Sequence, residues 1–238
     1  MNEAHLSKRL QTVANYVPRR SRLADIGSDH GYLPTWLYLN GRLDFGLAGE
    51  VVKGPYQSAK KVVQKNDLEQ VISVRLGDGL DVIQPEQDEI SVITIAGMGG
   101  VLIRDILERG KRNKKLTGKE RLILQPNVAE KSLRVWLQVN RYEILAEELI
   151  EEDGKRYEVI VAERDNDNTV LTDKELFFGP YLLKEKSSVF VKKWCDEYQK
   201  RCYVLEQLKK ATASQHERIK FIEQELHWIR EEIKVDEC

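Results

Sequence analysis

The sequence predicts an α/β protein: a mixed, doubly wound sheet that ends in an antiparallel hairpin, followed by a helical hairpin. Three observations predict it. Short apolar runs alternate with amphipathic stretches from Arg22 to Val139, the pattern of strand–helix units that build a parallel sheet. Two later runs, 142–150 and 156–162, flank a turn containing Asp153-Gly154, a hairpin signal. Beyond residue 165 the strand pattern stops, and apolar residues recur three and four apart.

In order, residues 3–17 read as an amphipathic helix capped by Asn2, with Leu6, Leu10, Val13 and Val17 on one face and Pro18 at its end. The first strand is 22–26. Gly27 and Gly31 permit a tight turn after it, and Pro34 suits the first turn of the next helix. Asn40-Gly41 stops that helix. A second strand, 44–49, closes on Glu50, and a second helix starts near Gly54-Pro55. The third strand is 71–76, before Gly77-Asp78-Gly79. The fourth, 90–96, is nearly all apolar, as a strand buried on both faces must be, and runs into Gly97-Met98-Gly99-Gly100 and a helix. A basic loop over 109–119 precedes the fifth strand, 121–124, which ends in Gln125-Pro126-Asn127, and a helix follows over 129–139.

After the hairpin, Asn166-Asp167-Asn168 reads as a polar linker. Val191, Trp194, Tyr198, Arg201, Leu205, Leu208 and Thr212 form one seam, and Ile219, Ile222, Leu226, Ile229 and Ile233 a second. Ala213-Ser214-Gln215-His216 supplies the bend between them, giving a coiled-coil-like helical hairpin. The division expected is therefore 1–165 for the α/β unit and 166–238 for the arm. The arm reads either as a packing appendage or as a grip on a large substrate.

The 238 residues carry a net charge of −1, so nucleic-acid binding would need a local basic face. No apolar run spans a bilayer and residues 1–20 lack a signal-peptide core, so a soluble cytoplasmic protein is expected. Of the three cysteines, Cys195 and Cys202 sit seven apart on a helix, roughly 10 Å, too far to bridge, and Cys238 is terminal. No spacing suggests a metal site.

Chemistry-bearing residues fall at successive strand ends, where an open α/β sheet binds its ligand. Asp25, Gly27, Ser28, Asp29, His30 and Gly31 follow the first strand. Glu50, about twenty residues on, is placed to accept from ribose hydroxyls. Asp78, beside Gly79, can accept from an adenine amino group, and Ala96, Gly97 and Met98 let a ligand approach the backbone. A dinucleotide site wants G-x-G-x-x-G, whereas here Gly27 and Gly31 enclose Asp29. Acids at Asp25, Asp29 and Asp78 repel a pyrophosphate and suit a cofactor with an amino group and a sulfonium, S-adenosyl-L-methionine. A methyltransferase is favoured over a nucleotide-dependent oxidoreductase. A non-catalytic RNA-binding module with the same fold is the third reading.

Ile26 to Pro34, Gly49-Glu50-Val51 with Gly54-Pro55, Arg75 to Leu80, Ala96 to Gly100 and Leu124 to Asn127 together resemble the bacterial tRNA (adenine-22-N1)-methyltransferases, the TrmK family. The resemblance covers the whole chain, the arm in kind rather than by motif. It implies a class I methyltransferase fold, S-adenosyl-L-methionine as donor, and N1 of an adenine in the tRNA D-arm region as acceptor. By the same resemblance, Gly27, His30 and Leu33 lie along the cofactor, and Glu50 and Val51 hold its ribose and flank its adenine. Asp78 and Gly79 meet the adenine edge, and Gly97 and Met98 sit beside the methionine moiety.

N1 attacks with a free lone pair once the base is unpaired, so no prior deprotonation is needed, and the product base is cationic. Asp29 is the first candidate to stabilise that charge and His30 the second; either could instead only contact the cofactor. Tyr32 is placed to stack on the base or to pack. Lys8, Arg9, Lys192, Lys193, Lys200 and Arg201, with Lys209 and Lys210, are the cations expected to hold RNA, against the plainer reading of a solvated face. The 109–119 loop ranks below them, since it connects at the sheet edge away from the pocket. A monomer without metal is expected.

Overall fold

The structure, a computed structural model, describes residues 2–165, 170–210 and 215–235. The elements run α1 (Lys8–Asn15), β1 (Ser21–Ile26), α2 (Tyr32–Leu39), β2 (Leu43–Glu50), α3 (Lys53–Lys65), β3 (Ile72–Leu76), a 3₁₀ turn (Gly79–Val82), α4 (Pro85–Asp88) and β4 (Val92–Met98). Then follow α5 (Gly100–Arg112), β5 (Arg121–Pro126), α6 (Glu130–Val139), β6 (Tyr142–Glu152) and β7 (Lys155–Arg164). The arm comprises α7 (Asp173–Phe178), α8 (Leu182–Glu185), α9 (Ser188–Lys210) and α10 (His216–Glu232).

The strands form one sheet in the order β3-β2-β1-β4-β5-β7-β6. The strands β1 to β5 pair in parallel, so their carboxyl ends share one edge. Strand β7 pairs antiparallel with both β5 and β6. The order reverses between β1 and β4, the switch point at which such sheets open a crevice. Both faces are covered. Helices α5 and α6 pack on one through Ile103, Ile106, Leu107, Leu133 and Leu137. On the other, α1 and α2 pack through Val13, Ala14, Val17, Leu33 and Leu37. Val92, Ile93, Thr94 and Ile95 of β4 are therefore all buried, which explains the unbroken apolar run.

The first helix is shorter than the spacing predicts. It starts after Ser7, whose hydroxyl accepts from the Leu10 amide at 3.2 Å. Asn2 instead closes a turn, its Oδ1 accepting from the amides of Ala4 and His5 at 3.0 and 2.9 Å. The amides of Lys8 and Arg9 donate to the Glu152 carboxylate at 2.5 and 3.2 Å, so a residue from β6 completes the cap. The basic stretch is also not all loop: Arg109 to Arg112 form the last turn of α5.

Two short helices, α7 and α8, precede the long helical pair. Thr172 and Glu175 make a reciprocal capping box that starts α7. Phe177, Phe178, Phe190, Trp194, Ile229 and Ile233 then pack with Leu149 of β6, seating the base of the arm on the sheet. Helices α9 and α10 run antiparallel, with Arg201 to Glu225 at 2.8 Å and Arg230 to Tyr198 at 2.7 Å across the seam. Ile222, Leu226 and Ile229 are buried on that seam, while Val191 is exposed. Thr212, Ala213 and Ser214, Asn166 to Asn168 and Cys238 lie outside the described residues.

A buried ion cluster lies beneath the arm. Arg134 of α6, fully buried, donates from Nε to Glu147 at 2.7 Å and from Nη2 to Glu158. Lys193 of α9 reaches the same Glu158 at 2.5 Å and Glu130 at 2.8 Å. Burial pushes the Glu158 carboxyl up, but Lys193 and Arg134 outweigh it and hold it below its ordinary value. Among the described residues, no helix is long and apolar enough to cross a membrane, and no group of three or more His, Cys, Asp or Glu could hold a metal ion.

Candidate active site

The loop after β1 is shaped by left-handed backbone. Gly27 has φ +68°, Asp29 +47°, His30 +46° and Gly31 +67°. Two non-glycine residues there store strain, which a folded scaffold holds at sites of function. Ser28 anchors the loop: its hydroxyl donates to Asp25 at 2.5 Å, and Thr94 of β4 donates to the other oxygen at 2.6 Å. Asp25 is 4 % exposed, and burial pushes its pKa up. Its carboxylate thus ties β1, the loop and β4 together, where the sequence reading gives it to the cofactor. Asp29 and His30 are open to solvent, with the His30 Nε2 3.5 Å from the Asp29 carboxylate and the His30 ring stacked on Tyr32 at 5.1 Å. The Leu33 side chain turns away into the core against α1, 1 % exposed.

Glu50 closes β2. The Asp29 amide donates to its carboxylate, yet its Oε1 is buried without a partner. Burial, joined by the charges of Asp25 and Asp29, pushes its pKa up to about 7. A buried, unpartnered carboxylate oxygen is costly, and a hydroxyl ligand relieves it. Val51, 63 % exposed, and Leu76, paired in register with Glu50, form apolar rims beside it.

Asp78 does not stand alone. Arg109 of α5 donates to its carboxylate at 2.7 Å and to its carbonyl at 2.9 Å, which holds the Asp78 carboxyl below its ordinary range. Arg109 reaches back because helical side chains lean toward the helix N-terminus, here the site end of α5. The expectation that the basic stretch stays at the far edge therefore fails for this residue. Gly79 takes φ +58° under the Arg109 head group.

The ends of β4 and β5 interlock. The Gly97 amide donates to the Gln125 side-chain oxygen at 3.0 Å, and Asn127 returns a bond to the Gly97 carbonyl at 2.8 Å. The Asn127 amide donates to Met98 at 2.7 Å, and Gly100 to Val128 at 2.8 Å. A Cβ on Gly100 would lie 2.4 Å from the Ala129 carbonyl oxygen. Gly100→Ala is expected to cost about 1–3 kcal/mol in urea unfolding and to lower turnover with it, because backbone, not a side chain, must move. The sequence marks Gln125 and Asn127 only as part of a motif; the interlock shows their use.

Between the ends of β1 and β4 lies a cavity of about 220 Å³, lined by Arg9, Leu10, Asp25, Gly27, Ser28, Asp29, Tyr32, Ala96, Gly97 and Met98. A wider groove of about 770 Å³ runs from Asn127 past Arg156 to Lys193, Lys200 and Arg201 on α9. The cations expected to hold RNA divide sharply. Lys193 is spent on Glu158 and Glu130, and Arg201 on Glu197 and Glu225. Lys8, Lys192 and Lys200 have partners too, the Glu151 carbonyl at 3.1 Å, the Glu151 carboxylate at 3.6 Å and Glu197 at 2.9 Å. These are exposed surface contacts, with Lys192 and Lys200 at 63 % and 70 % side-chain exposure, which solvent keeps weak and a phosphate can displace. Arg9 turns into the cavity.

The strand order, the antiparallel last pair and an acid at the end of β2 define a class I methyltransferase fold. The family model described as TrmK, tRNA (adenine(22)-N(1))-methyltransferase, matches residues 23–231, and the chain belongs to that family. It is 50 % identical over 227 residues to the tRNA (adenine(22)-N(1))-methyltransferase of Bacillus subtilis, covering 94 % of each chain. The crystal structure of the B. subtilis m1A22 tRNA methyltransferase TrmK superposes with a TM-score of 0.89 at 46 % identity, over 96 % of this chain and 98 % of that one. Streptococcus pneumoniae Sp1610, in complex with S-adenosyl-L-methionine, superposes at 0.85 and 45 % identity, over 95 % and 99 %.

Proposed function

We propose that this chain transfers the methyl group of S-adenosyl-L-methionine to N1 of adenine 22 in the D-arm region of tRNA, acting as a monomer in the cytoplasm. Residues 1–165 carry the chemistry and 166–238 the arm that meets the RNA. The unpartnered, buried Oε1 of Glu50 carries the reading: an acceptor at the end of β2 is where a ribose hydroxyl is needed. The residues fit the cofactor elsewhere too. Val51 and Leu76 rim the adenine, Asp78 offers lone pairs to its amino group, and Gly27, Gly97 and Met98 frame the methionine end.

The bound cofactor supplies an electrophilic methyl on a sulfonium. The adenine N1 lone pair forms the new N–C bond as the C–S bond breaks, and the positive charge passes to the base. Catalysis here is largely alignment, provided by the interlocked β4 and β5 ends. Asp29, exposed at the cavity mouth, stabilises the cationic base, and His30 with Tyr32 offers a stacked surface to it. Asp29→Asn is expected to lower kcat about 10-fold while the Kd for S-adenosylhomocysteine changes less than 2-fold, read by single-turnover kinetics and calorimetry. An equal loss in both would make Asp29 a cofactor contact only.

Lys200, in the groove, and the exposed Lys8 and Lys192 outside its lining supply contacts to the RNA backbone. Replacing Lys200 by alanine is expected to weaken tRNA binding and to reduce the slope of log K against log salt by roughly 0.7–0.9. The function itself is tested with labelled S-adenosyl-L-methionine and unmodified tRNA, the product nucleoside being identified by mass spectrometry. N1-methyladenosine that vanishes when adenine 22 is replaced supports the reading; methylation of another base overturns it.

A further inference from the structure

We propose that Val128 is a wedge that keeps the acceptor adenine out of its base pair while the methyl group is transferred. The inference deepens the reading above and rests on it, since N1 is reached only once the base has left its pair. Asn127, Val128 and Ala129 form an exposed tip at the end of β5, with Val128 itself 62 % exposed. The tip stands between the two openings already described. Asn127 and Val128 line the wide groove, whereas Gly97 and Met98, to which Asn127 is hydrogen-bonded, line the cavity. A Cβ on Gly99 would lie 3.7 Å from Val128 Cγ2, so the Val128 side chain stands beside bare backbone just past Met98.

A wedge must not yield, and this one is held firmly. The Asn127 amide donates to the Met98 carbonyl at 2.7 Å, and the Gly100 amide to the Val128 carbonyl at 2.8 Å, which ties the tip to β4 and to the start of α5. Valine is stiff at χ1. Ala129, which caps α6, takes φ +61°, a conformation that persists only where the surrounding structure holds it and that recurs at functional sites. Apolar exposure is also concentrated here. Val101 and Leu102, in the first turn of α5 beside the Gly100 that Val128 holds, are both exposed. Exposed apolar side chains are ordinary when scattered; three on two linked loops mark an interaction surface. Sheet order selects the occupant. On the reading above, Glu50, Val51 and Leu76 place the nucleoside of the cofactor over β2 and β3, so the acceptor arrives from the β4–β5 side. A nucleobase is flat and apolar on its faces, and proteins that open a base step insert an aliphatic side chain into it. Lys200, lining the same groove, is available to the flanking phosphates.

Two tRNAs separate the outcomes: the unmodified substrate, and the same molecule with the base opposite adenine 22 changed so that the two cannot pair. Val128→Ala is expected to slow single-turnover methylation of the first about 10-fold and of the second less than about 2-fold, because an unpaired base needs no wedge. Val128→Leu, which keeps an apolar tip, recovers most of the rate. Calorimetry with S-adenosylhomocysteine is unchanged in both variants, which certifies the fold. A second readout places 2-aminopurine, which pairs as adenine does and brightens when unstacked, at position 22. The unaltered protein raises its fluorescence on binding, and Val128→Ala raises it far less. Equal slowing on both tRNAs would make Val128 a plain contact and overturn the proposal. So would an unchanged rate on the paired tRNA, or a dimer of the unaltered protein that Val128→Ala dissociates while slowing both substrates alike, which gives the patch to a second copy of the chain. If the unaltered protein methylated adenine 22 in neither tRNA, the functional reading itself would fall, and this inference with it.

Discussion

Replacing Glu50 by glutamine is expected to weaken S-adenosylhomocysteine binding about 10- to 100-fold at pH 8 and, at the same pH, to stabilise the ligand-free protein. Both follow from one oxygen. In the ligand-free fold Oε1 is buried and unpartnered, and burial holds the pKa near 7 against an ordinary 4.5. The folded state therefore binds more protons than the unfolded chain between these values. The stability contributed by this group is complete below about pH 4.5 and is lost as pH rises through about 7. A neutral glutamine removes that loss, a gain on the order of 1–2 kcal/mol at pH 8 in urea unfolding. Ribose hydroxyls donating to the ionised carboxylate reverse the penalty, so binding releases a proton below pH 7. Affinity of the unaltered protein should rise from pH 5.5 to 7.5 and then level, while Glu50→Gln should be flat. Calorimetry in buffers of different ionisation enthalpy reads the proton directly. A flat profile for the unaltered protein would remove Glu50 from the ribose site.

The largest stability effect is expected at Arg134. Arg134→Met should lower the unfolding free energy by about 3–5 kcal/mol at pH 8, because it leaves Glu147 and Glu158 buried with their shared cation gone. Lys193 still neutralises Glu158, so Glu147 bears most of the penalty. Its Oε2 also accepts the Tyr181 amide at 3.0 Å, so the loss spreads to the segment between α7 and α8. Protonating the orphaned carboxyl relieves it. The gap between variant and parent should therefore narrow as pH falls from 8 toward 5. A gap that is constant with pH would assign the effect to lost packing. Arg134 is legible in the sequence only as a polar residue on an amphipathic helix. Its partners come from β6, β7 and, through Glu158, α9.

The sequence by itself determined the α/β order, the antiparallel hairpin and the helical arm. These rest on local periodicity and turn chemistry, which neighbours in the chain set without help from the rest. It also placed Glu50, Asp78 and the glycine loops at one edge, since parallel strands put their carboxyl ends together whatever their order. The tertiary structure alone decided how each charge is used. Asp25 is spent on Ser28 and Thr94, and Arg109 holds Asp78. Lys193 and Arg201 are neutralised inside the arm, and Arg9 meets Gln125 from 116 residues away. A sequence displays a charge but not its counter-charge when the two are far apart in the chain. Whether a cation grips RNA or staples a helix depends on what the fold brings within about 4 Å of it, because at that distance a partner cancels most of what solvent or a ligand would otherwise feel.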